Sequence, residues 1–154
     1  MDPEHIACWQ RIDARTTTSG RLAPADVDAL AALGVRHVIN LALADSPGAL
    51  ADEAALLAAK DIAYTHIPVP FGAPEEGHFA TFRAAYGGDD GPVHVHCIMN
   101  WRVSAFLYRW HRDHAGMDDA AARALMERHW TPETSTSADA PAWAAFIAPA
   151  GDPA

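Results

Sequence analysis

Residues 93–104 read VHVHCIMNWRVS. The alternation of valine and histidine predicts a buried strand, Pro92 to His96, that ends directly before Cys97. The residues after the loop predict a helix from Trp101 to about His114. A strand that runs through a tight loop into a helix aims free backbone N–H groups at the loop, and such groups attract anions. The segment Cys97–Arg102, which we call the cysteine loop, is therefore predicted to hold a tetrahedral anion.

The two ends of the cysteine loop carry the side chains that chemistry at an anion requires. Cys97 stands at its start, and amides at a helix N-terminus favour the thiolate, which is the nucleophilic form of cysteine. Arg102 stands at its end, and a guanidinium can bind two oxygens of one anion at once. The sequence predicts Cys97 as a nucleophile and Arg102 as the cation that binds the anion.

Helices and strands alternate along the rest of the chain. Strands are predicted at residues 35–43 and 62–67, and helices at residues 24–33, 49–60, 74–86, 118–129 and 141–147. This alternation predicts an α/β fold, a three-layer sandwich with a mainly parallel central sheet flanked by helices. We expect one domain over residues 1–154, with its core at about residues 20–130, a C-terminal helix at about 140–148 and a frayed tail from Pro149 to Ala154. In such folds, sites lie at the carboxyl ends of the strands, where Cys97 falls.

Charge and composition restrict the partners. The 154 residues carry a formal net charge of −9 and one lysine, Lys60, which argues against nucleic acid or an anionic membrane as a partner. No run approaches the ~20 apolar residues of a membrane span. The N-terminus lacks the pattern of a secretory signal, which predicts a cytoplasmic protein. Nothing in the sequence indicates an oligomeric state.

Several of these features together resemble the cysteine-dependent protein tyrosine and dual-specificity phosphatases. They are His96-Cys97 after an apolar strand, Arg102 at the start of the next helix, and the upstream segments VINL (38–41) and YTHIPV (64–69). The likeness runs from about Gly20 to Arg112 and is greatest to small bacterial atypical members with a short phosphate loop. It implies a dual-specificity-phosphatase-like fold and a phosphocysteine intermediate, without a metal or other cofactor. The implied substrate is a phosphorylated protein or a small phosphate ester, with phosphotyrosine or an aryl phosphate favoured.

The resemblance also implies roles for individual residues. Cys97 attacks phosphorus, and Arg102 binds the oxygens of the transferring group. His96 orients the loop, and Ser104 stabilises the departing thiolate. The backbone amides that also bind the group are those of Ile98, Met99, Asn100 and Trp101.

The cysteine loop departs from the family in length, because four residues separate Cys97 from Arg102 where the family has five. In one interpretation the loop is shorter, Arg102 still faces the anion, and Asn100 supplies a left-handed turn, which asparagine tolerates. In the other, Val103 takes the place of the arginine, and Arg102 is rotated away by about 100°. We favour the first, because Arg102 is otherwise an unexplained charge beside an apolar strand. A loop of this length also resembles that of rhodanese-type sulfurtransferases, against which His96 and residues 67–69 argue.

The second departure concerns the proton donor. The family carries an aspartic acid roughly thirty residues before the cysteine, and the matching segment here, VPFGAP (69–74), has no acid. The remaining candidates for a general acid are Glu75, Glu76 and Asp45. A donor contributes about 10²–10⁴-fold to such reactions, so a catalytically weak phosphate-binding pseudophosphatase is a further alternative. His94 lies on the same side of its strand as His96, but no acidic cluster completes a metal site, and we interpret His94 as structural.

Overall fold

The fold is that of a computed structural model, which describes residues 1–149. Residues 150–154 of the predicted tail lie outside the described residues. Five strands are present in the described part: β1 (Gln10–Arg11), β2 (Thr16–Ser19), β3 (His37–Asn40), β4 (Ala63–His66) and β5 (Val93–His96). Six helices accompany them: α1 (Pro24–Leu33), α2 (Glu53–Ala58), α3 (Glu76–Gly87), α4 (Trp101–Asp113), α5 (Asp119–Glu127) and α6 (Ala140–Ile147). No helix within residues 1–149 has the length and apolar character needed to cross a bilayer.

The strands form one sheet in the order β1-β2-β5-β3-β4. Only β1 is antiparallel to its neighbour; β2, β5, β3 and β4 run parallel. His96 pairs with Ser19 of β2 on one side and with Asn40 of β3 on the other. The carboxyl ends of three central strands therefore meet around Cys97, and the predicted mainly parallel sheet is confirmed.

Helices cover both faces of this sheet, because its strands bury side chains alternately on the two faces. Val95 and Ile39 point into the larger core, which α3 to α6 supply and which contains Phe82, Phe106 and Trp143. Val38 points into a smaller core, to which α1 and α2 contribute Leu30 and Leu57. This arrangement confirms the predicted three-layer sandwich.

The elements differ from the sequence-based expectation at two places before the site. Strands β1 and β2 were not predicted, because residues 16–19 read TTTS, and a run of hydroxyl side chains is typical of a loop. All four are buried in the structure. Helix α2 covers Glu53–Ala58 rather than residues 49–60, and Asp52 before it has a left-handed backbone with φ 58°.

Candidate active site

A cavity of about 340 Å³ opens at the carboxyl end of β5. Cys97 and Arg102 both line it, and both are buried, with exposed fractions of 1% and 7%. The other lining residues are mostly apolar or aromatic: Leu43, Ser46, Pro47, Phe71, Ile98, Met99 and Trp101. The structure thus brings the predicted nucleophile and the predicted cation to one cavity.

The guanidinium of Arg102 retains most of its hydrogen-bonding capacity. Its Nη1 donates to the carbonyl of Val69 at 2.8 Å, and its Cζ lies 5.7 Å from the centroid of the Phe71 ring. Arginine has five N–H donors, and no other protein acceptor within residues 1–149 engages those of Arg102. Val103, which the second interpretation placed at the anion, is fully buried in the larger core. The shorter loop with Arg102 at the cavity is therefore the arrangement present.

The backbone of the cysteine loop is open to an anion on its amide side. Within residues 1–149, the amides of residues 98–102 donate to no other backbone group. Asn100, the N-cap of α4, has φ 66° and ψ 9°, which is the left-handed conformation predicted for it. That turn leads the chain into α4. The free amides of residues 98–102 therefore lie at the positive end of the helix dipole.

The outer side of the loop is fixed by contacts to β2 and to the N-terminal segment. Asn100 Nδ2 donates to the carbonyl of Cys8 and to Oγ1 of Thr18, each at 2.9 Å. The carbonyl of Ile98 accepts from the amide of Arg21 at 2.9 Å. The preceding Gly20 makes this approach possible, because a Cβ there would lie 2.3 Å from the same carbonyl oxygen.

A buried acid supports His96 behind the nucleophile. His96 Nε2 lies 2.6 Å from Glu53 Oε2, and Nδ1 lies 3.2 Å from the carbonyl oxygen of Cys97. Because a carbonyl oxygen only accepts, Nδ1 carries a proton. Nε2 then either donates to an ionised Glu53 or accepts from a protonated one, so His96 and Glu53 share a proton. Asn40 Nδ2 donates to the other oxygen of Glu53 at 3.4 Å.

Glu53 was missed by the sequence analysis. It lies in a stretch of helix-forming residues with Asp52 beside it, a pattern typical of a solvated first turn. Its exposed fraction is only 5%, because α2 packs against the smaller core on the face where His96 points. The loop between β3 and α2 brings it to His96, and no residue spacing in the sequence indicates that contact.

His94 has structural contacts in the sheet, in agreement with the interpretation of the sequence. Its Nδ1 and Nε2 lie 2.8 Å from the hydroxyls of Thr17 and Ser19, and its ring is fully buried. Burial lowers the pKa of His94 well below its ordinary value of 6.5, so the ring is neutral. In residues 1–149, no group of three or more His, Cys, Asp or Glu side chains is placed to hold a metal ion.

Ser104 does not lie where the resemblance placed it. Its hydroxyl donates to the carbonyl of Trp101 at 3.0 Å, and the residue lines a different, small cavity. Arg102 occupies the helix position that faces the anion, so a residue two positions later is turned away by about 200°. The expectation that Ser104 stabilises the thiolate is therefore wrong.

Two of the candidate acids lie away from the cavity. Both oxygens of Glu76 accept from Arg109, at 2.6 and 2.8 Å, and this hydrogen bonding lowers the pKa of Glu76. Glu75 is exposed at the start of α3, where its amide donates to Nδ1 of His78. Neither residue lines the cavity of Cys97, so both expectations are corrected.

Asp45, the third candidate, lies on a loop that borders the cavity. Its neighbours Leu43, Ser46 and Pro47 line the wall, while Asp45 itself is exposed. The part of the chain that the structure describes therefore places no carboxylate among the lining residues. Asp45 is the nearest of the three to the rim by its position in the chain.

Aromatic side chains surround residues 69–74, the segment in which the family has its aspartic acid. The Phe71 ring lies 6.0, 5.8 and 5.7 Å from the rings of Trp101, Trp130 and Trp143. Trp143 Nε1 also donates to the Phe71 carbonyl at 2.6 Å. Residues 69–74 are thus held by α6, and they present a ring rather than a carboxylate to the cavity.

A mainly parallel sheet with a cysteine and an arginine in one loop at its carboxyl edge defines a cysteine-phosphatase-like domain. Residues 11–116 match the family model described as "Beta-lactamase hydrolase-like protein, phosphatase-like domain". That match spans more than half of the chain, and the chain belongs to this family. A search of curated proteins found no match.

Solved structures share the fold over most of their length. A Shewanella putrefaciens CN-32 protein assigned as a DUF442 phosphatase is 27% identical, with a TM-score of 0.78, over 92% of this chain and 87% of that one. The P. aeruginosa protein TpbA, solved as a cysteine-to-serine variant in complex with pTyr, is 18% identical, with a TM-score of 0.67, over 92% and 89%. A Neisseria meningitidis Z2491 protein assigned as a phosphatase is 24% identical, with a TM-score of 0.63, over 75% and 85%.

Proposed function

We propose that this domain is a cysteine-dependent phosphatase that works through a phosphocysteine intermediate. The observation that carries the proposal is the convergence of Cys97, Arg102 and the free amides of residues 98–102 on one cavity. These groups supply a nucleophile and a set of donors for three phosphoryl oxygens.

The reaction follows from this geometry in two displacements. Cys97 Sγ attacks phosphorus, an S–P bond forms, and the P–O bond to the leaving group breaks while Arg102 and the amides hold the other oxygens. Water then attacks phosphorus, the S–P bond breaks, and inorganic phosphate and the thiolate are released. No carboxylate among the described lining residues protonates the first leaving group, so it departs as an anion or takes a proton from water.

The cavity favours aryl phosphates, including phosphotyrosine. Leu43, Pro47, Phe71 and Trp101 offer apolar and aromatic contacts to a ring, and Arg102 is the only charged side chain among the lining residues within 1–149. A phenol also leaves without a proton donor far more readily than an alcohol. A phosphotyrosine side chain satisfies both conditions.

The test compares p-nitrophenyl phosphate with an alkyl phosphate between about pH 5 and pH 8. We expect release of phosphate from the aryl ester, little from the alkyl ester, and none from the Cys97→Ser variant. Cys8→Ser is the matched control, because Cys8 contacts the loop through its carbonyl and both thiols are free. Full turnover by Cys97→Ser, or no turnover of either ester by the unmodified protein, would contradict the proposal.

Sulfur transfer by a rhodanese-like mechanism is the second candidate. The six-residue length of the cysteine loop favours it. The lack of a lining carboxylate within residues 1–149 also favours it, because sulfite leaves thiosulfate as a stable anion and needs no proton donor. Mass spectrometry of the protein mixed with each donor separates the two. A gain of one sulfur atom on Cys97 after thiosulfate favours sulfur transfer, and a transient gain of a phosphoryl group favours the phosphatase. Binding of phosphotyrosine with neither adduct identifies a pseudophosphatase.

A further inference from the structure

A second cavity opens next to the cavity of Cys97. Its volume is about 500 Å³, and Arg21, Gly48, His5 and Asp26 are among the residues that line it. We call it the Arg21 cavity. Arg21 follows strand β2 by two residues, and β2 runs parallel to β5. The Arg21 cavity therefore lies at the same edge of the sheet as Cys97.

Two chain segments form the wall between the Arg21 cavity and the cavity of Cys97. In the first segment, Pro47 lines the cavity of Cys97, and the next residue, Gly48, lines the Arg21 cavity. The second segment begins at Ile98, which also lines the cavity of Cys97. The carbonyl of Ile98 accepts from the amide of Arg21 at 2.9 Å. A substrate that fills the first cavity and extends over this wall therefore reaches the second.

The Arg21 side chain packs along Gly48 and ends in an unpaired guanidinium. A Cβ at Gly48 would lie 3.0 Å from Arg21 Cδ. Within residues 1–149, Arg21 joins no ion pair. Asp26, the carboxylate that lines the same cavity, has other partners: one oxygen accepts from the amide of Ala23 at 2.8 Å, and the other lies 3.2 Å from His5 Nε2. The charge of Arg21 is therefore available to a ligand.

This unpaired cation lies in an acidic chain, which has 20 Asp and Glu residues and 11 Lys and Arg residues. Several other cations do pair with carboxylates: Arg11, Lys60, Arg109, Arg112 and Arg123. Arg21 instead stands beside a cavity that already presents a guanidinium and free amides. A second cation at that distance attracts a further anion, and a guanidinium can bind two of its oxygens at once.

We propose that Arg21 binds a second oxyanion of the substrate, which is a phosphotyrosine peptide with an acidic group next to the phosphotyrosine. The inference rests on the proposed function, because it assumes that the phosphoryl group lies at Cys97 and Arg102. The residues that flank the phosphotyrosine then lie at the rim, over the wall that Pro47 and Gly48 form. The second oxyanion is a carboxylate or another phosphoryl group, and the test separates these two sources.

The experiment compares three phosphotyrosine peptides whose flanking residues are glutamate, phosphoserine or glutamine. We expect the unmodified protein to favour an anionic peptide over the glutamine peptide about threefold to fivefold in kcat/KM, as for one exposed ion pair with some steering. Arg21→Gln should remove this preference. The anionic peptide with the larger ratio identifies the source. A ratio is measured because a general loss of stability affects all three peptides equally and cancels.

Two further variants separate a local contact from an effect of net charge. Arg21→Glu should reverse the preference, so that the glutamine peptide becomes the better substrate. Arg36→Gln is the matched control, because Arg36 is also exposed and joins no ion pair within residues 1–149, but it precedes β3 at the opposite edge of the sheet. It should leave the ratio unchanged. An equal loss of preference in Arg36→Gln and Arg21→Gln would overturn the proposal.

Binding to the Cys97→Ser variant separates this inference from the proposed function. The dissociation constants of the three peptides are measured by calorimetry for Cys97→Ser, with and without Arg21→Gln. A preference that depends on Arg21, without hydrolysis by the unmodified protein, would support the second anion site and count against the phosphatase alone. Hydrolysis of all three peptides at equal rates would overturn the second anion site and leave the phosphatase. No binding of any peptide would contradict both.

Discussion

Helix α4 has a buried arginine near each end, and the two guanidinium groups differ in whether a carboxylate neutralises their charge. The Arg102 side chain at the start has one hydrogen-bond partner within residues 1–149, the neutral carbonyl of Val69. Arg109 near the end is bound by both oxygens of Glu76, and its guanidinium lies 4.2 Å from the Phe79 ring. A carbonyl leaves the charge of an arginine uncompensated, whereas a carboxylate neutralises it. Of these two ends, the N-terminal one therefore retains a charge for a ligand.

The largest expected effect comes from exchanging each arginine for lysine. Arg102→Lys removes the two parallel hydrogen bonds that a guanidinium donates to phosphoryl oxygens, and it should lower kcat/KM for p-nitrophenyl phosphate about 10²–10³-fold. Arg109→Lys, the matched change at the other end, should leave kcat/KM within about threefold and lower the unfolding midpoint instead. Steady-state kinetics with urea unfolding on the same samples measures both. Equal losses of activity would mean that the two ends do not differ as described.

Removing the carboxylate behind the N-terminal end should have the next largest effect. Glu53→Gln keeps the shape of the side chain but takes away the partner that shares a proton with His96. We expect kcat to fall about tenfold with little change in KM, because a charge-assisted hydrogen bond is lost while the cavity is intact. A kcat within about twofold of that of the unmodified protein would contradict the role assigned to this hydrogen bond. Asp28→Asn, at an exposed residue paired with Lys60, is the surface control.

His94 in β5, the strand that leads into the N-terminal end of α4, and Glu76 at the C-terminal end should affect stability in different pH ranges. Burial lowers the pKa of His94, so below its ordinary value of 6.5 the unfolded chain binds a proton that the folded chain does not. Stability must fall as the pH drops below that value, by at most about 1.4 kcal/mol for each pH unit. Urea unfolding at pH values from about 7.5 to 5.5 measures this slope. His94→Gln should reduce it, and an unchanged slope would contradict the assignment.

The smallest effect is expected at the C-terminal end of α4. The hydrogen bonds from Arg109 lower the pKa of Glu76 from its ordinary 4.5, so the pair stabilises the protein above that pH and loses its contribution as the pH falls through the lowered value. The Glu76 side chain is 74% exposed, and Glu76→Gln should cost under about 1 kcal/mol at neutral pH. Turnover should not change. A loss of activity that is larger for the alkyl ester than for the aryl ester would restore Glu76 as a proton donor.

The region from β5 into α4 could be predicted from the sequence because its information is local. A strand of alternating residues, a cysteine, a residue that tolerates positive φ and a helix follow one another along a single short stretch. The left-handed backbone of Asn100 and the presence of Arg102 at the cavity follow from that order. The cores on the two sheet faces follow from the same periodicity in β3.

The remaining parts depend on contacts between distant segments. Thr16 to Ser19 form a strand because their hydroxyls find buried partners on Tyr86 and His94, which lie far along the chain. Glu53 is buried because His96 is available to it across the sheet. Ser104 was misplaced because a family position was carried over a loop that is one residue shorter. For residues 16–19 and for Glu53, the side chains that explain their burial lie too far along the chain to form part of a local sequence pattern.

The stacked tryptophans give the cavity a built-in optical probe. The ring centroids of Trp101 and Trp130 are 4.7 Å apart, their planes are nearly parallel, at 5°, and Trp101 lines the cavity itself. Such a closely coupled indole pair has emission and near-ultraviolet dichroism that respond to what touches its outer face. Occupancy by any aromatic or anionic compound can therefore be followed on the unlabelled protein, whatever chemistry follows.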